Sequence, residues 1–293
     1  MMRIYRAEVV ATRLLTPGMV RITFGGPGLA GFETTGVGDE YLRVFLPDPG
    51  DHEARLPIST GDSWDWEAGV KPSAMRTYTV RSVDAAAGTV DIDFVVHDGG
   101  LAASWAQRAQ VGDVVGLNSP TGLYEPPGEL QWQILLADAT GLPAVARLLE
   151  LTPPGIRTRV LIELEDPSHQ QELNLGAGTE VAWIHGGNGH SQSRLDEVLR
   201  SMELPGGVGY IWVAGEAKVL RSIRKYLRHE KKLTPESYKL IGYWTDKSEA
   251  WEERWENLDA ETRRWFDELW SDEKRDREEI VDLQDAKFEL LGL

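Results

Sequence analysis

A short segment in the first third of the chain, R-T-Y-T-V-R, carries side chains that suit a flat, charged ligand. On an extended strand Arg76 and Tyr78 share one face, and Thr77 and Thr79 share the other. A tyrosine can stack on the isoalloxazine ring of a flavin, an arginine can neutralise a diphosphate, and threonine hydroxyl or backbone groups can donate near the flavin N5 atom. The same pattern also fits the exposed face of an ordinary barrel strand.

A second motif, H-D-G-G-L-A-A-S-W, begins at His97 and contains a strand end, a glycine-rich turn and a helix start. Small residues at a helix N-terminus let backbone N–H groups approach a pyrophosphate, and the helix dipole favours that negative charge. His97 taken singly also fits an ordinary turn. The two motifs in this order, with a strand between them, are far more specific than either alone.

The composition limits the classes of protein to consider. The chain has 293 residues, of which 41% are hydrophobic and 27% charged, so it is globular and long enough for two domains. It has no cysteine, which excludes disulfides, thiolate metal sites and cysteine nucleophiles. The net charge of −16 disfavours nucleic acid. Because no apolar run could cross a bilayer and no leader-like segment begins the chain, we expect a cytoplasmic protein without stable membrane insertion.

The sequence of the first half of the chain predicts β-strands, which would position the two motifs. Alternating apolar and polar residues predict half-buried antiparallel strands. The predicted strands are Ile4–Leu15, Met19–Phe24, Tyr41–Leu46, Arg76–Arg81, Thr89–Val96 and Val111–Leu117. The stretch Pro47–Pro72 is rich in Gly, Pro and Asp and is expected to be an excursion loop. Several strands at this spacing predict a closed antiparallel β-barrel.

From Gln131 onwards apolar runs alternate with helical segments. The apolar runs are Ile134–Ala137, Val160–Leu164, Val181–Ile184 and Tyr210–Ala214, and the helical segments are Leu142–Leu151, Ser191–Met202 and Glu216–Glu230. This alternation predicts a parallel sheet covered by helices on both faces. We therefore expect a β-barrel domain over residues 1–125 and an α/β domain over residues 126–246.

Residues 247–293 are predicted to form an acidic, tryptophan-rich helical extension. From Asp246 to the last residue the chain holds 17 acidic and 8 basic residues. Trp251 and Trp255 are spaced by one helical turn, and Trp265 and Trp270 follow them. The pattern fits an amphipathic helix pair that docks its tryptophan faces on the α/β domain, or a lid over the cofactor face.

A resemblance extends this interpretation. A barrel followed by an α/β domain is the order of the ferredoxin–NADP reductase-like flavoproteins. The segments RTYTVR, FVVHDGGLAASWA, DATGLPAVARLLE, WVAGEAKVLRSIRKYLR and GYW occur in order and closely resemble the signature series of the siderophore-interacting protein family. The resemblance implies an FAD-binding β-barrel domain, a Rossmann-like NAD(P)-binding domain, and a reductase that releases iron from ferric siderophores. Its electron source would be NADH, NADPH or ferredoxin.

The resemblance also implies roles for individual residues. The expected cofactor-binding residues in the barrel are Arg76, Tyr78, Thr79 and Arg81 for the flavin, and His97, Gly100, Ala102, Ala103 and Ser104 for the adenine and pyrophosphate. Thr140, in the loop after the first strand of the second domain, should lie near the flavin.

The electron-donor side is expected at the end of a later strand. Gly215 and Glu216 follow a buried strand and begin a helix, which is where open α/β sheets bind ligands. Trp244 is placed like an aromatic residue that shields a flavin, although core packing explains it equally well. The arginines of the helix after Glu216 are Arg221, Arg224 and Arg228. They could reach a 2′-phosphate or form a solvated face, so the choice between NADH and NADPH stays open.

An anionic ferric siderophore would need a basic pocket. The candidate cations are Arg43, Arg147, Lys239 and Lys247, each of which is also explained as a surface charge. Members of the family often have a basic residue directly after the tryptophan, where this chain has Thr245, and Lys247 could substitute. The loop His185–His190 lacks a third metal ligand and is interpreted as a flexible connection, so no metal site is expected.

The leading hypothesis is an FAD-dependent oxidoreductase that transfers electrons from a donor to a ferric siderophore. A flavin links two-electron donors to one-electron acceptors, and the chelator holds Fe(II) far more weakly than Fe(III). The siderophore supplies the ligands of its iron, so the reaction needs no catalytic acid or nucleophile from the protein. On the same fold the alternative is a flavin or quinone reductase, or the partner reductase of an oxygenase. The alternative from another class is a non-enzymatic siderophore-binding protein.

Overall fold

The computed structural model describes residues 2–97, 100–187, 191–246, 248–272 and 274–292. The first half of the chain is built from antiparallel strands. In chain order they are β1 Ile4–Thr16, β2 Met19–Gly25, β3 Tyr41–Leu46, β4 Ile58–Ser59, β5 Trp64–Asp65, β6 Ala74–Thr79, β7 Ser82–Asp84, β8 Thr89–Val95 and β9 Val114–Asn118. Seven of them form one sheet with the order β6-β3-β9-β1-β2-β8-β7, and β4 pairs with β5.

This sheet curls into a barrel whose seam is closed by side chains. The ring of Tyr78 on β6 lies 4.2 Å from the ring of Phe94 on β8, which brings the two ends of the sheet together. Phe94 and Phe24 pack in turn against Trp105, which comes from helix α1, Leu101–Arg108. The predicted closed barrel is therefore a curled sheet with a seam that α1 helps to fill.

The connection between β3 and β6 was expected to be an excursion loop, and part of it is ordered as the hairpin of β4 and β5. The hairpin is tied to the start of the chain, because Met2 N–H donates to the carbonyl of Gly61 at 2.8 Å and the hydroxyl of Ser59 donates to the carbonyl of Met2 at 2.5 Å. Two tryptophans of this segment, Trp64 and Trp66, pack edge-on against Phe45 of β3.

The second half of the chain forms a parallel five-stranded sheet. Its strands are β10 Trp132–Asp138, β11 Arg157–Leu164, β12 Thr179–His185, β13 Gly209–Glu216 and β14 Tyr238–Trp244, in the order β12-β11-β10-β13-β14. Its helices are α2 Leu142–Leu151, α3 Leu195–Ser201 and α4 Ala217–Lys225, and a π-helical turn, Tyr226–Glu230, continues α4. The strand order reverses between β10 and β13, and such a switch point is where open α/β sheets bind ligands.

The α/β elements follow the predicted alternation, with two differences. The helix predicted over residues 191–202 begins only at Leu195. The two residues before it, Ser193 and Arg194, donate hydrogen bonds to the carboxylate of Glu163. The strand β14 was not predicted, because its pattern K-L-I-G-Y-W lies at the edge of the sheet and is only partly buried. Asn188 to His190, in the predicted flexible loop, lie outside the described residues.

A buried carboxylate joins the barrel to the α/β sheet. Asp39, just before β3, is fully buried, and one of its oxygens accepts the backbone N–H groups of Leu123 and Tyr124 at 2.9 and 2.8 Å. Its other oxygen accepts the indole N–H of Trp212 on β13 at 2.8 Å. Since the three donors come from the connecting segment and from the sheet, Asp39 fixes the orientation of one domain on the other.

The C-terminal extension consists of three helices: α5 Ser248–Glu256, α6 Ala260–Trp270 and α7 Arg277–Leu291. Trp251 and Trp255 stack at 5.6 Å and pack with Phe266 and Phe288, so these rings form a small core of their own. The prediction that the tryptophan faces dock on the α/β domain was therefore wrong. None of the helices in the described part of the chain is long and apolar enough to cross a bilayer.

Candidate flavin and nucleotide site

The flavin-strand motif lies on β6, at the seam of the barrel. Strand β6 pairs with β3 so that Thr79 faces Tyr41 and Thr77 faces Arg43. Thr79 is 5% exposed, and its hydroxyl lies 3.4 Å from the hydroxyl of Tyr243 on β14. Strand β6 thus ends where the barrel meets the edge of the α/β sheet.

Arg76 and Tyr78 share the opposite face of β6, as the alternation predicted. Tyr78 is half-buried against Phe94, and this burial raises the pKa of its hydroxyl above the ordinary value, so the ring stays neutral. Arg76 is exposed, and its guanidinium donates to the neighbouring carbonyl of Met75 at 2.8 Å. An exposed arginine of this kind can pair with a phosphate without giving up a carboxylate partner.

Arg81 is placed differently from the prediction. Its guanidinium makes two hydrogen bonds, at 3.0 and 2.6 Å, to the carboxylate of Glu150 in α2. The Arg81 side chain is only 15% exposed. Two parallel bonds to one carboxylate are the strong form of an arginine ion pair. Arg81 therefore joins the barrel to α2, and this engagement does not fit the predicted contact with a cofactor.

Helix α1 begins directly after Gly100, as predicted. Gly100 precedes the first helical residue, and a Cβ atom there would lie 2.4 Å from the ring of His97, so the imidazole rests on the glycine. Ala102 and Ala103 are buried, and Ser104 N–H donates back to the carbonyl of Gly100 at 2.8 Å. The first N–H groups of a helix have no partner within it, so this turn can offer them to a phosphate. Asp98 and Gly99 lie outside the described residues.

At the carboxyl edge of the α/β sheet, Asp138 binds three donors. One oxygen accepts the backbone N–H and the hydroxyl of Thr140, at 2.8 and 2.5 Å. The other accepts the indole N–H of Trp244 at 2.6 Å. A Cβ atom at Gly215 would lie 2.7 Å from this second oxygen, so the close approach of β13 requires a glycine. Thr140, Gly215 and Trp244, all singled out in the sequence, therefore meet around Asp138 at the switch point.

Two further carboxylates line the same edge. Glu163, at the end of β11, pairs in register with Asp138, and Glu216 ends β13. Burial raises the pKa of all three carboxyls, and Asp138 adds a smaller increase to the pKa of Glu163 and of Glu216. One oxygen of Glu163 accepts Arg194 N–H at 2.6 Å, and the other has no hydrogen-bond partner in the described part of the chain. The edge is therefore acidic where it meets the barrel motif.

These residues fit a bound FAD on four observations. The exposed Arg76 and the turn before α1 can hold phosphates, and Thr79 presents a hydroxyl where the two domains meet. Gly215 lets the Asp138 carboxylate lie against β13. Trp244, held by Asp138, supplies an aromatic ring at that edge of the sheet.

Three of the four predicted substrate cations are described by the structure, and these three do not share one pocket. Arg43 lies on β3 with its guanidinium 5.1 Å from the ring centre of Trp64. Lys239 lies near the start of β14, about 16 Å along the strand from Trp244, and hence towards the opposite end of the sheet. That distance does not fit a role beside the flavin. Lys247 lies outside the described residues.

Arg147 is an internal residue. It is 8% exposed, and its guanidinium binds the carboxylate of Glu40 at 2.7 Å and the carbonyl of Val80 at 2.6 Å. It also donates to the hydroxyl of Thr34 at 3.0 Å. With its donors used by three groups of the barrel, Arg147 does not fit the predicted contact with a substrate. It holds α2 against the end of β6.

The arginines of α4 face the C-terminal extension. Arg224 binds Asp285 at 2.6 Å, and Arg228 binds Glu278 and Asp282 at 3.3 and 3.1 Å. All three acids lie on α7, so neither arginine is a free cation for a 2′-phosphate. Arg221 lies 5.7 Å from the ring of Phe288, also on α7. These contacts place the extension on α4. They do not place it over Thr79 and Trp244, where a lid on the cofactor face would lie.

Sequence reasoning missed Tyr243, Asp138, Glu163 and Trp64. The signals for the first two were present: Tyr243 precedes Trp244, and Asp138 begins the D-x-T loop that was read only for Thr140. The sequence does not indicate that Glu163 is buried, because a glutamate at the end of an apolar run is equally compatible with a strand end exposed to solvent. Trp64 lay in a segment expected to be irregular.

Comparison with protein families decides the relationship. The family model for the siderophore-interacting FAD-binding domain matches residues 8–124, and the model for siderophore-interacting protein matches residues 130–247. The chain belongs to the siderophore-interacting protein family. It therefore carries an FAD-binding domain in its barrel half, and the resemblance drawn from the sequence motifs is confirmed.

Individual relatives agree with this assignment. The NADPH-dependent ferric-chelate reductase of Escherichia coli K12 is 30% identical, and the alignment covers 83% of this chain and 93% of that protein. The ferric vibriobactin reductase ViuB of Vibrio cholerae is 30% identical over 81% of this chain and 88% of its own length. The crystal structure of a siderophore utilization protein from T. fusca is 33% identical and superposes with a TM-score of 0.76, covering 84% of this chain and 94% of that one.

More distant structures share the fold alone. Phthalate dioxygenase reductase is 13% identical and superposes with a TM-score of 0.55, covering 81% of this chain and 67% of that chain. The predicted fold, an antiparallel barrel-like FAD-binding domain followed by a parallel α/β domain with C-terminal helices, is confirmed. As a member of this family the chain is an oxidoreductase with an FAD-binding domain.

Proposed function

We propose that this chain reduces ferric siderophores with electrons from a reduced pyridine nucleotide, through FAD, and thereby releases Fe(II). The observation that carries the proposal is the contact between Thr79 and Tyr243 at 3.4 Å. Thr79, the last residue of β6, thus lies beside the strand that carries Trp244, which bonds Asp138. A flavin bound by the barrel motif and a nucleotide bound at the switch point would meet there.

The residues of the chain have distinct parts in this proposal. Arg76 and the N–H groups before α1 would bind the phosphates of the cofactor. Thr79 would orient the reactive edge of the ring through its hydroxyl, which Tyr243 holds. Trp244, fixed by its bond to Asp138, would exclude water from that edge. Bound FAD would supply the exchange between two-electron and one-electron chemistry.

The nucleotide donor would bind at the carboxyl ends of β10 and β13. Gly215 and Glu216 lie at the end of β13, where they would face it. Both residues were predicted for this role, and they stay proposals. Ferredoxin is kept as the second possible donor, and the cytoplasm as the compartment, since reduced nucleotides are available there.

The substrate would arrive with its iron already coordinated. Among the described residues no group of three or more His, Cys, Asp or Glu side chains could hold a metal ion. In the proposed reaction the protein binds the chelate, each electron reduces one Fe(III), and the chelator keeps its own oxygen or nitrogen ligands. Arg43 stays the proposed cation on the barrel side.

The test is an anaerobic reaction of the FAD-loaded protein with NADH or NADPH and a ferric siderophore, with Fe(II) trapped by ferrozine. Bleaching of the visible flavin spectrum by a nucleotide, followed by its return as Fe(II) appears, is the expected result. Reoxidation by free flavin or quinone but by no ferric chelate would favour the reductase alternative. A protein that binds the chelate but no FAD would be the non-enzymatic binder. A flavin that only reduced ferredoxin bleaches would identify ferredoxin as the donor.

A further inference from the structure

The proposed reaction site lies at one side of the α/β sheet. Thr79 contacts Tyr243 on β14, and β14 is the last strand in the order β12-β11-β10-β13-β14. From there the sheet continues in one direction, over β13 and β10 to β11 and β12. Strand β11 lies about 10 Å from β13 at the usual strand spacing. A dinucleotide with its nicotinamide beside Thr79 would therefore bring its adenosine half to the carboxyl ends of β11 and β12.

The chain at the end of β11 is acidic. It reads E-L-E-D from Glu163 to Asp166, so three acids stand within four residues. Glu163 is 1% exposed and is the cross-strand neighbour of Asp138. The Glu165 side chain is 42% exposed, and Asp166 accepts the backbone N–H of Ser168 at 2.7 Å. The adenosine half of the donor would thus lie beside several carboxylates.

Glu163 has one carboxylate oxygen to spare. Oε1 accepts Arg194 N–H at 2.6 Å, whereas Oε2 has no hydrogen-bond partner in the part of the chain that the structure describes. Gly187 covers this oxygen, since a Cβ atom there would lie 2.5 Å from it. A ligand would reach Oε2 by displacing a residue that has no side chain. Glu163 also stands about 20 residues after Gly141, in the first strand-to-helix turn of the sheet, and dinucleotide-binding folds place there an acid that accepts the ribose 2′-hydroxyl.

The cations that the structure describes around the end of β11 already face carboxylates. Arg194, whose backbone contacts Glu163, has its guanidinium 3.5 Å from Glu197. The ring of His169 lies 3.7 Å from Glu165. Lys218 lies in the first turn of α4, which follows β13, and β10 separates β13 from β11. A 2′-phosphate at the end of β11 would therefore compete with these carboxylates for its cations.

We infer that the acidic end of β11 makes NADH the preferred electron donor over NADPH, with Glu163 accepting the 2′-hydroxyl of the adenosine ribose. This inference rests on the proposed function and names the donor of that site. A ribose hydroxyl supplies the hydrogen-bond donor that Oε2 lacks. A 2′-phosphate supplies about two negative charges in its place, which the carboxylates of Glu163 and Glu165 repel. A site built to bind a hydroxyl rejects an analogue without it.

The experiment measures nucleotide binding to the FAD-loaded, oxidised protein by isothermal titration calorimetry. The probes are NAD+ and NADP+, at about pH 8, above the ordinary pKa of every carboxyl. The readout is the ratio of the two dissociation constants, and the wild-type protein should bind NAD+ at least about tenfold more tightly. ADP-ribose and its 2′-phosphate lack the nicotinamide and should show the same ratio, because the selective contact is with the adenosine half.

Glu163→Gln tests the acid directly. The N–H of Arg194 keeps the amide oxygen, so the amide nitrogen takes the place of Oε2 and can donate to a hydroxyl or to a phosphate. NADP+ should therefore bind about tenfold more tightly than to the wild-type protein, while NAD+ changes less than about twofold. Glu165→Gln removes a charge at a partly exposed site and should tighten NADP+ binding by about threefold. This second variant also tests the inference if Glu163→Gln does not fold.

The matched control is Glu180→Gln. Glu180 lies near the start of β12, at the opposite end of the sheet, and its side chain is 74% exposed. The variant removes the same charge from the same sheet and should leave the ratio unchanged. A change equal to that of Glu163→Gln would mean that overall charge, and not the end of β11, selects the nucleotide, and would overturn the inference.

The outcomes distinguish this inference from the proposed function. If the wild-type protein binds NADP+ as tightly as NAD+, or binds neither, or if Glu163→Gln and Glu165→Gln leave the ratio unchanged, the inference is overturned. Reduction of a ferric siderophore with electrons from ferredoxin would still be observed in that case if the flavin chemistry is correct. If NAD+ is preferred and the variants lose the preference, the inference stands even when the reduced flavin transfers no electron to a ferric chelate. That failure would remove the proposed function alone.

Discussion

The indole N–H of Trp244 donates to Oδ2 of Asp138 at 2.6 Å and so joins the carboxyl ends of β14 and β10. Strand β13 runs between them, and its Gly215 leaves the space that the bond crosses. An indole has a single N–H donor, so this bond fixes the orientation of the ring. The aromatic residue at the proposed reaction site is therefore positioned by a buried carboxylate.

We expect Asp138→Asn to destabilise the α/β domain and to free the Trp244 ring. Asparagine keeps one acceptor oxygen and turns the other position into an N–H donor, which would face the N–H of Trp244 or of Thr140. A buried donor left without an acceptor costs about 1–3 kcal/mol, so the free energy of unfolding should fall by about 2 kcal/mol. Urea denaturation measures the fall, and near-UV circular dichroism reports the tryptophan.

The control for this variant is Glu172→Gln, which neutralises an exposed carboxylate and should change the free energy of unfolding by less than about 0.5 kcal/mol. If Asp138→Asn had as small an effect as the control, the hydrogen bonds around Asp138 would not hold this edge together.

Glu163 should make the stability of the protein depend on pH. It is 1% exposed, and burial raises the pKa of its carboxyl above the ordinary 4.5. The folded protein holds this proton more tightly than the unfolded chain, so the stabilisation is fully present below the ordinary pKa. It is lost as the pH rises through the raised pKa of the folded state. Glu163→Gln should therefore gain stability relative to wild type as the pH rises, by about 1 kcal/mol once wild-type Glu163 is ionised.

The measurement is the urea concentration at the midpoint of unfolding, for the wild-type protein and for Glu163→Gln, at several pH values between about pH 4 and pH 8. A difference that grows with pH and then levels off is expected. A difference that does not vary with pH would mean that the Glu163 carboxyl titrates alike in the folded and unfolded states. Glu172→Gln, at an exposed site, should show no such trend.

The ion pair between Arg147 and Glu40 should be one of the strongest links between the two domains. Their atoms lie 2.7 Å apart, and the side chains are 9% and 0% exposed. Arg147→Met would leave Glu40 buried without its cation, which costs about 3–5 kcal/mol. Urea denaturation should show this loss. Arg159→Ala is the matched control, because its pair with Glu180 is 46% and 74% exposed and is worth less than about 1 kcal/mol. Similar losses in both variants would contradict the assigned role of Arg147.

Local periodicity was enough to predict the order of the elements. The period-two alternation of Tyr41–Leu46 and the apolar run of Ile134–Ala137 each have one simple structural reading, and the structure contains both strands. The helix start after Gly100 could be predicted for the same reason, since it depends on neighbours in the chain. These features follow from residues close in sequence.

Pairing between distant residues could not be predicted in this way. Arg147 has the same charge whether it faces water or Glu40, and Glu40 lies far away in the sequence. Likewise, nothing in the sequence around Arg43 indicates that the ring of Trp64 will cover one face of its guanidinium. Lys239 was misplaced because the strand that carries it was not recognised, and the strand direction decides which end of the sheet it occupies.

The packing of α7 on α4 should depend on one buried ion pair. Arg224 and Asp285 lie 2.6 Å apart, and Asp285 is 5% exposed. Asp285→Asn would remove the charge that Arg224 faces, so hydrogen exchange of the α7 amides should speed up about tenfold, as loss of a charged hydrogen bond predicts. The control is Lys225→Ala, whose pair with Glu289 is 42% and 54% exposed and should change exchange less than about twofold. Equal changes in both variants would show that the Phe288 cluster, and not the ion pair, holds α7 in place.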